Sequence, residues 1–482
     1  MKKSNFVYFL FISKSAFLII ILLIATAMLN ASIVSQTYRV DNPKLTVKEG
    51  YDYLELNNCA MTGTPTEPLL PYIQVRLLLP SGEEVFKVDV TRSGKVKVGE
   101  GYKIYPTQYD IPTSQAHLRK FTKPNEDIYS SDLAYPATAY RNYDTGYYRG
   151  HSIAYADVCP VEYIPKTGEV FYYTSVTVTL TTSYSDIASR AFRTRFRGDS
   201  DTEDYIKDLV QNPAMLSSYP VQNTTRQYYE TDYLIITSNA YEECFESFAK
   251  FKKLQGYYTV TKTVESIYSN YTGVDNQDKI RNCIIDYYDN HGTDYVLLGG
   301  DVEIVPQRDL YGHTVTGDGP VYDNIPADLY YICLDRVGSG PGPDWNVDND
   351  DKWGEYDLDD PILGDITEAD FLAEMYIGRI CADSETEFAN ALHKQIMYQK
   401  SPVAADNKKA IMVGEKLWDG LCGDEHKEQI RLGGTYDGYT TAGLANIGVV
   451  SQLQYASAYP DSTWPVQDLI DKMNSGATYI NH

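Results

Sequence analysis

The sequence predicts an α/β domain with a parallel sheet, preceded by a β-sandwich-like domain. Before about residue 190, apolar residues recur at every second position, as they do in half-buried antiparallel strands. After Tyr229, buried apolar runs alternate with amphipathic helices, which is the pattern of βαβ units and a parallel sheet. With 482 residues, the chain is long enough for two or three domains.

Turns between alternating runs define the first domain. The predicted hairpin strands are residues 73–79 with 84–90 and residues 161–164 with 170–173, and a further strand covers 176–180. The first pair flanks Pro80-Ser-Gly82 and the second flanks Pro165-Lys-Thr-Gly168, which are short turns of the hairpin kind. The β-rich domain is therefore predicted to span residues 32–188.

Strands and helices alternate in the second half of the chain. The predicted strands are 233–237, 258–263, 295–298, one within 374–383, 410–413 and 477–481, and the predicted helices are 243–255, 275–290, one beginning at Ser384, and 463–475. These elements divide into two α/β subdomains, at 229–400 and 401–482. Ligands of such sheets bind beyond the carboxyl ends of the parallel strands.

The first residues and the charge predict an exported protein. Lys2, Lys3 and Lys14 precede an apolar stretch at 16–29, and small residues follow, so residues 1–31 are predicted to be a cleaved secretory signal. An uncleaved N-terminal anchor is the alternative. The sequence shows no other membrane span, which predicts a secreted protein, free or attached to the cell surface. The formal net charge of −24 repels phosphate and excludes a general nucleic-acid binder.

The seven cysteines are spread along the chain without a C-x-x-C pair. This spacing indicates neither a zinc knuckle nor a dense disulfide framework. Most of them lie in apolar runs, and we therefore expect packed thiols.

A basic connection separates the two halves. Residues 189–228 carry arginines among Asp, Ser, Asn and Pro, at positions 190, 193, 195, 197 and 226. The weak periodicity predicts an exposed linker with candidate activation cleavage sites for a trypsin-like peptidase. An ordinary surface linker is the alternative.

One loop has the spacing of a cation site. Oxygen-bearing side chains occupy relative positions one, three, five, seven and twelve, at Asp344, Asn346, Asp348, Asp350 and Glu355. This spacing wraps a loop around a hard cation and predicts a structural calcium ion. Asn349 stands where a glycine is usual, and asparagine tolerates the left-handed backbone needed there. A solvated acidic loop is the alternative.

Glu415 follows the predicted strand 410–413 directly. A carboxylate at the carboxyl end of a buried parallel strand lies where α/β sites are built. The alternative is an ordinary surface glutamate at the start of a loop.

Several ordered motifs resemble the gingipain-type cysteine peptidases. They are Tyr233-Leu-Ile-Ile-Thr237, Tyr295-Val-Leu-Leu-Gly-Gly-Asp301, Ala327-Asp-Leu-Tyr-Tyr331, Met375-Tyr-Ile-Gly-Arg379 and Val413-Gly-Glu415. The hairpin at 160–168 is similar to the inhibitory propeptide of that family. The resemblance implies a secreted zymogen with a caspase-like α/β peptidase domain, protein or peptide substrates, and its own propeptide as an intramolecular inhibitor.

The resemblance also implies roles for individual residues. Glu415 matches the acid that orients the catalytic histidine, and Asp424 matches an acid of the S1 pocket in Arg-specific members. Helix-dipole capping is the alternative role for Asp424. The family's histidine motif begins like Asn481-His482, so the catalytic histidine is expected three residues after His482 and the cysteine further on. The chain as given is therefore expected to be incomplete and inactive.

Two alternatives concern the chemistry. Cys422 and His426 lie close in sequence, but both follow Glu415 in one loop and helix start, whereas the family dyad follows successive core strands; we therefore do not expect them to form a dyad. The second alternative is a calcium-stabilised binding or adhesion module on a catalytically dead peptidase scaffold.

Overall fold

The computed structural model describes residues 31–109, 120–220, 231–316, 319–338, 341–350, 352–357, 366–418, 421–436 and 439–482. The predicted signal, apart from Ala31, lies outside the described residues, as does Arg226. Among the helices that are described, none is both long enough and apolar enough to cross a bilayer.

The N-terminal domain consists mainly of strands. These are β1 (Ser32–Arg39), β2 (Lys44–Lys48), β3 (Tyr51–Glu55), β4 (Ala60–Thr62), β5 (Leu70–Leu78), β6 (Glu83–Gly99), β7 (Tyr140–Tyr148), β8 (His151–Val158), β9 (Val161–Ile164) and β10 (Glu169–Tyr184), with one short helix, α1 (Glu126–Tyr129). The predicted strands at 170–173 and 176–180 are one strand, β10, and the predicted strand at 84–90 continues to Gly99.

Two antiparallel sheets share the core of this domain. One contains β1, β10, β6 and β9, and the other contains β4, β5, β8 and β7. Alternate side chains of each strand point to the same face, and those on the inner faces of both sheets meet in one apolar cluster. Val178 and Leu180 contribute from β10, and Val75 and Leu77 contribute from β5.

Two helices follow the β domain. Helix α2 (Asp186–Arg195) begins after Ser185, whose hydroxyl accepts hydrogen bonds from two backbone N–H groups of the first turn. Helix α3 (Ser200–Leu209) begins after Asp199, whose side chain accepts a hydrogen bond from the Thr202 N–H. A 3₁₀ helix at Pro213–Ser218 comes next. These elements correct the expectation of an exposed linker over this part of 189–228, because the segment is helical and packs against both halves of the chain.

The first α/β subdomain is built on a parallel sheet. Its strands are β11 (Tyr233–Thr237), β12 (Thr259–Thr263), β13 (Tyr295–Gly299), β14 (Arg308–Thr316), β15 (Gly319–Ala327), β16 (Tyr356–Asp357), β17 (Ile366–Thr367) and β18 (Tyr376–Ile380), and its helices are α4 (Glu246–Leu254), α5 (Val264–Asn270), α6 (Asn276–His291) and α7 (Glu385–Lys400). Strands β12, β11, β13 and β18 pair in parallel in that order, as the alternation predicts. The remaining four strands form two hairpin-like pairs.

Both faces of this sheet are covered. Leu234 and Leu298 pack with Ile284 of α6 on one face, while Ile235 packs with Phe388 of α7 on the other. Burial on both faces explains why the strand sequences are continuous apolar runs.

The second α/β subdomain carries a shorter parallel sheet. Its elements are β19 (Lys409–Gly414), β20 (Lys416–Trp418), β21 (Leu421–Cys422), α8 (Asp424–Leu432), β22 (Gly434–Tyr436), β23 (Tyr439–Thr441), β24 (Val450–Tyr455), α9 (Val466–Asn474) and β25 (Tyr479–Asn481). Strand β19 lies in the middle and pairs in parallel with β24 and β25. The three carboxyl ends therefore meet at one edge of the sheet.

Candidate active site

Glu415 lies at the carboxyl edge of the second sheet, as predicted from its place after a buried strand. The strand β19 is buried up to Gly414, and the Glu415 side chain beyond it is 52% exposed. The Nε2 atom of His482, at the end of the neighbouring β25, lies 3.5 Å from Glu415 Oε1. This carboxylate is therefore open to an imidazole that approaches from the end of β25.

The backbone around Glu415 is held from two sides. The Gly423 N–H donates to the Glu415 carbonyl over 2.8 Å, and the Trp464 indole N–H donates to the Gly414 carbonyl over 3.3 Å. A Cβ atom on Gly414 would lie 2.7 Å from the backbone nitrogen of Asp424. Only a glycine therefore allows the end of β19 and the start of α8 to approach so closely.

Asp424 is the first residue of α8 and is buried. Its Oδ1 atom is buried without a hydrogen-bond partner. The residue lines a cleft of about 610 Å³ between α8 and the end of β24, together with Tyr455 and Ser457. A buried carboxylate oxygen with unused acceptor capacity suits a cationic or hydrogen-bonding group entering this cleft. Its position in the first turn also satisfies the helix dipole, so both roles considered for Asp424 are compatible with the geometry.

Cys422 and His426 lie outside the three-stranded parallel sheet. Cys422 is half-buried in β21, and His426 is exposed on α8. Both belong to the turn and helix that follow Glu415, as the sequence indicates.

The cation loop differs in part from the predicted arrangement. Asp348 and Glu355 lie together with Glu368, with one carboxylate oxygen from each within 4.8 Å of the others. Asn346 is buried, and its Oδ1 atom, like Glu368 Oε2, has no hydrogen-bond partner. Asn349 adopts a left-handed backbone with φ of 64°, as expected of the residue in the glycine position.

Two of the predicted ligands have other partners. Asp344 accepts hydrogen bonds from Arg281 and Arg336, each over 3.1 Å. Burial alone would raise the pKa of Asp344, but these guanidinium groups lower it below its ordinary value. Asp350 is exposed and accepts a hydrogen bond from the backbone N–H of Lys352. This is a correction to the predicted ligand set, in which Asp344 was the first ligand.

Glu368 was missed by the sequence reasoning because it lies outside the loop. It is brought to the loop by pairing of its backbone N–H with the Glu355 carbonyl, and its Oε1 accepts hydrogen bonds from the N–H groups of Val347 and Asp348. Burial raises the pKa of Glu368.

A second group of carboxylates was also missed. Asp335, Asp370 and Glu374 are buried, and one oxygen from each lies within 4.8 Å of the others. Burial, followed by the neighbouring Asp335, raises the pKa of Asp370 and of Glu374 well above the usual range. The guanidinium of Arg195 hydrogen-bonds to Asp335. No local spacing in the sequence marks these residues as a group.

The structure thus has a β-rich domain and two helices packed on an α/β domain, which carries acidic side chains beyond the ends of its strands. Residues 226–482 match the model of peptidase family C25, and residues 25–193 match the model of its propeptide. The first match covers more than half of the chain, and the chain therefore belongs to peptidase family C25. It has the organisation of a gingipain-type cysteine peptidase with an N-terminal propeptide, which confirms the resemblance of the sequence motifs.

Three similar chains share about a fifth to a quarter of their aligned residues with this chain. Gingipain R2 of Porphyromonas gingivalis is 24% identical over 310 residues, which cover 58% of this chain and 39% of that protein. This chain therefore spans about two fifths of the relative's length. Among solved structures, the complex of the pro- and mature domains of RgpB from Porphyromonas gingivalis is 19% identical, with a TM-score of 0.32, and covers 38% of this chain and 92% of that chain. The Arg-specific cysteine proteinase gingipain R is 20% identical, with a TM-score of 0.34, and covers 55% of this chain and 48% of that chain.

Proposed function

We propose that this chain is part of a secreted cysteine endopeptidase zymogen that cleaves peptide bonds by Cys-His acyl transfer. Membership of peptidase family C25 supports the class of reaction. The observation that carries the proposal is the position of Glu415, an open carboxylate at the end of β19, within reach of groups at the end of β25. The histidine and the cysteine are those that the resemblance expects after His482.

In this mechanism Glu415 acts on the histidine, not on the substrate. Its carboxylate accepts a hydrogen bond from one imidazole nitrogen, which fixes the tautomer and stabilises the imidazolium. The other nitrogen takes the thiol proton, the thiolate attacks the scissile carbonyl, and the imidazolium then protonates the leaving amine. Backbone N–H groups stabilise the oxyanion. The half-exposed position of Glu415 leaves room for this approach.

Asp424 is proposed to select a cationic P1 side chain. The buried Oδ1 atom without a partner and the cleft of about 610 Å³ support this role. A guanidinium would form a charge-assisted hydrogen bond there, whereas a leucine side chain would leave the carboxylate desolvated and unpaired.

The test uses the natural full-length gene product and fluorogenic peptides that end in arginine or leucine. Asp424→Asn should lower kcat/KM for the arginine substrate about 100-fold or more, with little change for leucine. The control, Asp461→Asn, removes an exposed carboxylate of the same subdomain and should leave both values unchanged. Equal losses on both substrates would contradict the specificity role. Absence of all thiol-dependent hydrolysis would favour the binding-module alternative.

Calcium is proposed to bind at Asp348, Glu355 and Glu368, with the Asn346 amide oxygen as a further ligand. The clustered oxygens and the buried atoms without partners support the site. Lys352 Nζ lies 3.0 Å from Glu355 and balances one of the three carboxylates, which leaves a net charge of −2 for a divalent cation. Carboxylate and amide oxygens are the ligands that calcium prefers.

Thermal unfolding tests the calcium proposal. If calcium is added at about 100 times the Kd of the site, the free energy of unfolding should be about 2.7 kcal/mol higher than in the presence of a chelator. Glu368→Gln should remove this difference. Asp350→Asn is the matched control and should keep it, because Asp350 lies outside the three-carboxylate group. A wild-type melting curve that is the same in calcium and in chelator would disprove the site.

Export is proposed from the predicted signal at 1–31. In N-terminal sequencing of the zymogen from culture supernatant, the first residue should lie close to Ser32. A zymogen that retains the N-terminal apolar stretch and stays with the membrane fraction would favour the uncleaved anchor.

A further inference from the structure

Three arginine side chains connect the N-terminal part to the first α/β subdomain. Arg149, Arg195 and Arg197 are each only 6% exposed, although they are not in an apolar sequence context. Arg149 Nε donates to the backbone carbonyl of Glu374 over 2.9 Å and also lies near Asp294. Buried guanidinium groups require such partners, and here the partners come from the other half of the chain.

Arg195 makes the first of two neighbouring sets of contacts with the first α/β subdomain. Its guanidinium hydrogen-bonds to Asp335 and lies 3.7 Å from Asp289. Its backbone carbonyl accepts a hydrogen bond from the Tyr288 hydroxyl over 3.4 Å. Both the side chain and the backbone of Arg195 are therefore recognised.

Arg197 makes the second set of contacts. Its guanidinium carbon lies 4.3 Å from the centre of the Tyr288 ring, and Nη2 donates to the Tyr288 carbonyl over 3.2 Å. The same Nη2 lies 4.0 Å from Asp294. Stacking on an aromatic ring combined with a nearby carboxylate is a geometry that suits arginine better than lysine.

The residue between them points elsewhere. The Phe196 ring lies 5.1 Å from the ring of His151 and 5.2 Å from that of Phe192, in an aromatic group of the N-terminal part. Phe196 directly follows the last residue of α2 and leaves the helical conformation, with φ of −59° and ψ of 123°. The α/β subdomain thus contacts the first and third side chains of an Arg-x-Arg sequence.

The surface is strongly acidic without these arginines. Asp289, Asp294 and Asp335 face the guanidinium groups, and Asp370 and Glu374 lie next to Asp335. Buried oxygens of Asp335 and Glu374 have no hydrogen-bond partner even with the arginines in place. Removal of the arginines would leave Asp289, Asp294 and Asp335 without these ion pairs.

We propose that Tyr288, Asp289, Asp294 and Asp335 form a docking surface for an Arg-x-Arg segment, distinct from the Glu415 site. Arg195-Phe196-Arg197 fills it in this chain. This contact holds the N-terminal part, residues 31–220, on the peptidase domain after the connecting chain is cut. The surface binds the same sequence when it is supplied by a second polypeptide. The proposal concerns binding and does not depend on the proteolytic activity proposed above.

A cleavable version of the full chain tests the proposal. A recognition sequence for a site-specific protease is inserted after Asn223, the chain is cut, and the dissociation constant of the two parts is measured by dilution and gel filtration. Arg195→Gln with Arg197→Gln should weaken the association about 100-fold or more. The matched control, Arg193→Gln with Lys207→Gln, also removes two positive charges from α2 and α3, but from exposed positions, and should change the constant less than about 3-fold.

Peptide competition provides the second measurement if the double variant does not fold. A synthetic peptide of residues 186–209 is added to the cut wild-type chain and should displace the N-terminal part. The same peptide with glutamine at 195 and 197 should not do so. An unchanged dissociation constant in the Arg195 and Arg197 variant, or displacement by both peptides or by neither, would overturn the proposal.

Discussion

His151 provides a pH-dependent test of how the N-terminal part is packed. Its side chain is 1% exposed and contacts the rings of Phe196 and Tyr219, and its Nδ1 atom faces the carbonyls of Tyr148 and Arg149. The neutral ring with a proton on Nδ1 satisfies this environment. Burial lowers the pKa of His151 from its ordinary 6.5 to about 4.

The sign of the effect follows from proton linkage. Between pH 6.5 and pH 4 the unfolded chain binds the proton and the folded chain does not, so stability falls as the pH falls through this window. With pKa values of 6.5 in the unfolded chain and about 4 in the folded chain, the free energy of unfolding falls by about 2 kcal/mol at pH 5 and by about 3 kcal/mol at pH 4, relative to neutral pH. Above pH 6.5 this residue contributes no pH dependence. For a domain of this size, about 2 kcal/mol lowers the Tm by about 4–8 °C.

The perturbation is His151→Asn, which keeps a donor near the two carbonyls but does not titrate. Scanning calorimetry of the full chain at about pH 7.5 and pH 5 gives the fall in Tm for wild type and variant. The raised pKa values of Asp370 and Glu374 act in the opposite direction, and they affect both proteins equally. The wild-type Tm should therefore fall further than that of the variant, while His393→Asn, at an exposed position, should behave like wild type. Equal pH dependence in wild type and His151→Asn, or an NMR titration of His151 with a pKa near 6.5, would refute the reasoning.

Two further predictions concern local geometry. Gly414→Ala should destabilise the second α/β subdomain by about 1–3 kcal/mol, because the added Cβ would lie 2.7 Å from the Asp424 nitrogen. Urea unfolding measures this loss. The control is Gly423→Ala, which should change the free energy of unfolding little because the atom nearest to its added Cβ is 3.4 Å away. Limited trypsin digestion should spare the bonds after Arg195 and Arg197, because both side chains are buried in ion pairs. Mass spectrometry of the fragments identifies the bonds that are cut. Early cleavage after either residue would contradict the packing described for the two helices.

Local pattern was sufficient for most of the α/β elements. Strand β11 has the predicted bounds, and α6 begins one residue after its Asp275 cap, because apolar runs and capping residues act over a few positions. The connection after the β domain was not predictable in this way. Its arginines make the sequence polar, but Arg195 and Arg197 are buried against carboxylates that lie about 100 to 140 positions away in the chain. Local composition carries no information about such distant partners.

The same distinction applies to the site. The position of Glu415 followed from the sequence, because a residue directly after a central parallel strand must lie at the sheet edge. The loop spacing placed Asp348 and Glu355 correctly in one group, while Asp344 is held by Arg281 and Arg336 instead. Glu368 joins the group through tertiary pairing alone. The roles of these residues in catalysis and calcium binding stay predictions.

The most direct test of the central claim is hydrolysis of an arginine-containing peptide by the natural full-length protein, with and without Glu415→Ala. If Glu415 orients the catalytic histidine, Glu415→Ala should lower kcat about 10²–10⁴-fold. The residual activity should still be blocked by a thiol-directed reagent. Activity that is abolished by the reagent and reduced to this extent by the variant is the predicted result. Thiol-dependent activity that is unchanged in Glu415→Ala would contradict the assignment of this edge of the sheet as the catalytic site.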